Sequence, residues 1–152
     1  MTPQKCLVAG LGNPLQGSDG FGAAVLECLR SRPDLPPSAE LIDGGTDLLS
    51  CLDQFASYDL VVLIDAFLGP APREVAVIEE TVFAEWSAHS TTSHELSPLL
   101  TVRLYRSLHP ESNTRFILVG LRVDPADFSR SIVPADAQVG AEAVLRVVSG
   151  DA

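Results

Sequence analysis

Three stretches of the chain, Cys6–Leu11, Leu60–Ala66 and Phe116–Leu121, are almost wholly apolar. Short runs of this kind are the pattern of strands covered on both faces. The first breaks at Gly12-Asn13-Pro14, a turn signal. From Asp19 to Arg30 the apolar positions Phe21, Val25, Cys28 and Leu29 recur at helical spacing, which predicts an amphipathic helix with Ser18 or Asp19 near its N-cap. Pro33, Pro36 and Pro37 end it. A second strand over Ala39–Ile42 is expected to stop at Asp43-Gly44-Gly45, and Thr46 or Asp47 to open a short helix reaching about Phe55. The third strand, the most apolar of the chain, is expected to end at Asp65. After Gly69-Pro70-Ala71-Pro72, Val75–Ile78 reads as a fourth strand. The connection before it is too short for a crossover helix, so it should run antiparallel. Thr92–His109 predicts a helix with Leu96, Leu100, Leu104 and Leu108 along one face, and Ala135–Val148 a final amphipathic helix. Strands alternating with helices predict a three-layer α/β/α sandwich on a mostly parallel sheet.

The chain has 152 residues, which predicts a single domain over 1–152. An apolar fraction of 46% argues against disorder. No apolar run approaches the roughly 18 residues of a membrane span, and the start, MTPQKCLVAG, lacks the apolar core of a signal peptide. Cys6, Cys28 and Cys51 form no CxxC pair and are expected to be buried thiols. Together these features predict a cytoplasmic protein with no membrane partner. A net charge of −10 would repel phosphate backbones, so no nucleic-acid partner is expected.

The opening strand–turn–helix invites a nucleotide-binding reading, and its details refuse it. A GxGxxG loop would need glycine where Leu15 stands, and a P-loop would need lysine where the chain reads Ser18-Asp19-Gly20. What remains is a set of carboxylates: Asp19 after the first strand, Asp43 at the end of the second, Asp65 at the end of the third. With strands ordered 2-1-3, the carboxyl ends of the first and third flank the crevice where ligands bind in such sheets. Asp19 and Asp65 would face each other there, and two carboxylates in one crevice need a proton or a cation between them. Of the histidines, His89 lies in a polar loop and His109 at a helix end. Thr92-Ser93-His94-Glu95 fits a capping box and puts His94 in a first helical turn, where the helix dipole favours a neutral, metal-ligating ring. One imidazole with two carboxylates leaves open coordination positions and suits nickel, zinc, manganese or iron.

Four segments give the chain a family likeness. The run Gly10-Leu11-Gly12-Asn13-Pro14-Leu15-Gln16-Gly17-Ser18-Asp19-Gly20-Phe21-Gly22 resembles the G-x-G-N-x-L-x-x-D-[DE]-G-x-G opening of the maturation endopeptidases of nickel–iron hydrogenases. Asp43-Gly44-Gly45-Thr46 resembles that family's D-G-G-T turn. Ile64-Asp65-Ala66 resembles its central aspartate, and Thr91–Ser97 its S/T-x-H-x-L/M helix start. The resemblance implies a five-stranded sheet of order 2-1-3-5-4 with the fourth strand antiparallel. It also implies a catalytic, metal-binding triad at Asp19, Asp65 and His94 that meets nickel carried by the substrate. The implied activity is one cut that removes a C-terminal extension from the hydrogenase large-subunit precursor after nickel insertion. Two departures stand out. Ser18 replaces the first acidic residue of the D-[DE] pair, and Gly120-Leu121-Arg122-Val123-Asp124-Pro125 replaces the family's G-x-[QE]-P. Two rival readings are a metal-independent aspartic-type peptidase using Asp19 and Asp65 as a proton-sharing dyad, and a non-catalytic chaperone that binds nickel or precursor.

Overall fold

A computed structural model describes residues 3–45, 51–86 and 98–151. Five strands, β1 (Cys6–Leu11), β2 (Ala39–Gly45), β3 (Leu60–Leu68), β4 (Glu74–Glu79) and β5 (Arg115–Val123), form one sheet in the order β2-β1-β3-β5-β4. All neighbours are parallel except β4, which runs antiparallel along the edge of β5. The helices are α1 (Phe21–Arg30), α2 (Leu52–Phe55), α3 (Glu80–Phe83), α4 (Pro98–Leu108) and α5 (Pro134–Val148). Among the described residues no helix is long and apolar enough to cross a membrane.

Strand alternation sorts the core into two layers. Val62 and Ile64 face α1 and α5, packing with Phe21, Val25, Leu26, Leu29 and Val144. Val61 and Leu63 face the other way, with Leu7, Ala9, Phe55, Phe83, Val102 and Tyr105. Asp65, two residues beyond Leu63, therefore belongs to the second face. In that layer Phe55, Tyr105 and Phe116 meet edge-on or tilted, with ring centroids 5.2–5.7 Å apart. Helix α1 lies so close to the sheet that a Cβ on Gly22 would fall against the backbone of Leu11 and within 2.8 Å of the Ile64 carbonyl oxygen.

The structure redraws several sequence expectations. Strand β2 continues through Asp43 to Gly45, and β3 passes Asp65 by three residues to Leu68, because β5 supplies a hydrogen-bonding partner as far as Leu68↔Val123. Helix α4 buries Leu99, Val102 and Tyr105, whereas Leu104 and Leu108 are 38% and 58% exposed. The aromatic contacts of Tyr105 outweigh a row of leucines in deciding which face turns inward. Helix α1 begins at Phe21 after a 3-10 turn over Gly17–Gly20, its N-cap is Gly20, and Asp19 does not cap it. All three cysteines are free, yet only Cys6 is fully buried; Cys28 and Cys51 are half-buried. Helix α3 has no counterpart in the periodicity, being a single turn. Residues 46–50 of the predicted second helix, and 92–97 of the predicted third, lie outside the described residues.

A methyl group at position 22 has only main-chain atoms to push against. Gly22→Ala is expected to lose about 3 kcal/mol in urea unfolding, the upper end of what overpacking costs; a loss under about 1 kcal/mol would show that α1 can retreat.

Candidate functional site

The site arises where β1 and β3 part. They pair in register from Cys6↔Leu60 to Gly10↔Ile64; beyond that β1 turns away, while β3 carries on beside β5. Gly12 makes the turn with φ of +93°, a conformation open to glycine, and its N–H donates to the Gly45 carbonyl at 2.8 Å. Asp65 is thus the first residue of β3 without β1 beside it, at the crevice where the strand order reverses.

Into that crevice the chain brings Asp19 and Asp65, respectively 0% and 1% exposed. Asp19 sits in the Gly17–Gly20 turn, and its Oδ2 accepts the Asn13 backbone N–H at 2.7 Å. Asn13 is itself fixed: its Oδ1 accepts Leu15 N–H at 2.9 Å, and its carbonyl accepts Gln16 N–H at 3.1 Å. Asp65 Oδ1 accepts the N–H of Ala66 at 2.8 Å, while Oδ2 has no hydrogen-bond partner among the described residues. Beside it lies a small pocket walled by Phe67, Phe83, Trp86, Leu99 and Leu118, in which Asp65 is the charged group. The Phe67 and Trp86 rings meet at a tilt with centroids 5.0 Å apart, and Gly120, opposite Asp65 on β5, leaves the space Phe67 occupies.

This wall has an electrostatic consequence. Burial among apolar rings pushes the Asp65 carboxyl well above the ordinary carboxylate range, and the nearby Asp19 charge pushes it further; the Ala66 N–H pulls weakly the other way. Asp65 therefore holds a proton more readily than a carboxylate in water does.

The other predicted positions separate. Asp43 is exposed, its Oδ1 occupied by Gly45 N–H at 3.0 Å, and it takes no part in the crevice. His109 stacks on Tyr105 at 4.6 Å, at the far end of α4. His94, with the Thr92–Glu95 capping box, and His89 lie outside the described residues. Among the described residues no group of three His, Cys, Asp or Glu could hold a metal. Sequence reasoning took Asn13 only as a turn residue and missed it as the donor that holds Asp19. It also missed the aromatic wall, since nothing local to Phe67 or Trp86 says which aspartate they will surround.

A raised carboxyl pKa makes folding favour the protonated form. The associated stability is fully present below the unfolded value of about 3.9 and is lost as pH rises through the folded pKa. Asp65→Asn removes that loss. It should therefore melt higher than the parent at pH 7, by about 3 °C for each pKa unit of elevation. The difference should vanish below about pH 4. Equal melting temperatures across that range would contradict the buried, charge-opposed environment.

Comparison with known proteins follows the same lines. Residues 23–148 match the family model described as HycI, hydrogenase maturation protease; that span holds Asp65 and His94, and Asp19 stands just ahead of it. The chain is similar to the hydrogenase expression/formation protein HoxM of Azotobacter vinelandii, with 27% identity over 153 residues covering 97% of this chain and 72% of that protein. It is 28% identical over 94 residues to the hydrogenase 2 maturation protease of Escherichia coli K12, covering 60% of this chain and 57% of that one. A HupD protein of Rhodobacter capsulatus is 28% identical over 136 residues, 88% of this chain and 64% of that one. The matched regions thus span 57–72% of these relatives' lengths. Two solved structures share the fold with a TM-score of 0.73, each covering 96% of this chain and 93% of theirs. They are a nickel–iron hydrogenase maturation protease HycI from Thermococcus kodakarensis, at 19% identity, and the hydrogenase maturating endopeptidase HybD from E. coli, at 24%. With most of its length matched and its sheet order shared, this chain belongs to the hydrogenase maturation protease family.

Proposed function

We propose that this chain is an endopeptidase that removes the C-terminal extension of a nickel–iron hydrogenase large-subunit precursor once nickel has been inserted. The observation that carries the reading is the convergence of two buried carboxylates, Asp19 and Asp65, at one sheet end, with Asp65 Oδ2 unengaged among the described residues. Such a pair repels itself until a cation arrives. The nickel held in the precursor is that cation. Asp19 and Asp65 take it as part of the substrate, and His94 is assigned as the third donor on the strength of the family likeness. Two carboxylates and an imidazole leave coordination positions open, so the ion can stay attached to the precursor while being recognised. Cutting is thereby limited to precursor that has received its metal, and the bound ion can polarise the scissile carbonyl or an attacking water. The setting is assigned as cytoplasmic, in keeping with three cysteines that form no disulfide.

A second reading draws on the elevated pKa of Asp65. A protonated Asp65 could donate to the scissile carbonyl while Asp19 activates water, as in proton-sharing aspartic dyads. This reading requires no metal, so it predicts that precursor lacking nickel is cut as fast as loaded precursor.

The test is mass spectrometry of nickel-loaded precursor incubated with the parent chain, Asp65→Asn and Asp19→Asn. Each variant is expected to lower the cleavage rate at least about a hundredfold, or about 2.7 kcal/mol of barrier. Undiminished processing by Asp65→Asn removes the coordination scheme. Stoichiometric binding by the parent chain without shortening of the precursor would make the protein a chaperone.

A further inference from the structure

Asp19 has no capping role to hold it, and the turn that carries it is anchored by its neighbour. Ser18 is fully buried. Its N–H donates to the Phe128 carbonyl at 2.9 Å, and its Oγ donates to the Arg130 carbonyl at 2.8 Å. The same Oγ accepts Nη1 of Arg73 at 2.9 Å. The rest of that guanidinium faces α5: Nε and Nη2 donate to Asp136 Oδ2 at 3.2 and 3.1 Å. Asp136 Oδ2 also accepts Val133 N–H at 3.3 Å, closing the first turn of α5. Both ends of the ion pair are shielded, with side chains 15% and 16% exposed.

We infer that Arg73 is a positioning residue that, through Ser18, holds the Asp19 carboxylate in the site. One planar fork joins the strand β4 approach, the start of α5 and the residue next to Asp19, a geometry a lysine could not reproduce. A bond that merely tied a strand to a helix would need Asp136 alone. The additional donor, Nη1, is spent on the hydroxyl beside Asp19, and that hydroxyl is in turn saturated by the 124–130 loop. The arrangement also accounts for the departure at position 18. Where the family motif carries a carboxylate, this chain has Ser18, and the carboxylate that meets Arg73 comes from Asp136 on α5. The buried cation therefore keeps a full counter-charge without placing a third acid beside Asp19 and Asp65. This inference concerns the machinery of the endopeptidase reading and rests on it for its kinetic arm only.

The experiment follows amide hydrogen exchange by NMR in the full chain, with cleavage of nickel-loaded precursor in parallel, for Arg73→Gln and Ser18→Ala. The reporter is the Asn13 N–H, which donates to Asp19; Val62 and Val119 in the core strands are controls for global stability. Asn13 exchange is expected to quicken at least about tenfold with both controls unchanged. Over the same variants kcat should fall about tenfold, with KM within about twofold of the parent. Ser18→Ala deletes one oxygen and keeps the backbone bond to Phe128, so it remains testable should Arg73→Gln fail to fold. Parent-like Asn13 exchange in folded Ser18→Ala overturns the inference. If the parent chain never shortens the precursor, the endopeptidase reading fails, while the Asn13 response still decides the positioning role.

Discussion

Two carboxyl groups that water does not reach, Asp19 and Asp65, oppose one another, and the carboxyl end of this sheet is organised around keeping them together all the same. Asp65 sits on a central strand, walled by Phe67, Phe83, Trp86 and Leu99. Asp19 comes from a different segment and is held by a backbone N–H. Left to themselves the two groups would separate or take up a proton. What keeps them in place is backbone hydrogen bonding: the β3–β5 ladder on one side and, on the other, a turn bonded within itself and to the Phe128 carbonyl.

That arrangement sets stability against activity. An uncharged residue at Asp65 would suit the folded protein better at neutral pH, and the acid is retained where local energetics disfavour it. The surrounding core has to absorb the cost. Helix α1 presses directly on the main chain of β1 and β3 through Gly22, and the two apolar layers bury nearly every side chain of both strands. Packing of this density transmits little motion, so the crevice is held to a narrow geometry rather than sampling many.

The Ser18, Arg73 and Asp136 cluster belongs to the same logic at the neighbouring residue of the turn. Its charges are balanced within the cluster, by one arginine against one aspartate, so it adds rigidity without altering the net charge at the crevice. The cluster's arginine is thereby matched by Asp136 and not by Asp19 or Asp65.

Much of this was legible in the residues themselves. Apolar runs marked β1, β3 and β5, turn residues bounded β2, and the short Gly-Pro connection marked β4 as antiparallel, because residue pattern and loop length are local properties. Asp65 was singled out because an acid at the end of an apolar strand stands out against its background, and Asp19 because it follows the strand–turn that opens the same crevice. Tertiary contact decided the rest. Strand β3 outruns Asp65 because β5 is there to bond it, and α4 turns Tyr105 inward because Phe55 and Phe116 await it. Arg73 reaches Ser18 across 55 positions of chain, and no local pattern announces such a partner. Periodicity and composition are written residue by residue, whereas the partner of a strand edge, an aromatic ring or a buried charge exists only once the chain has closed on itself.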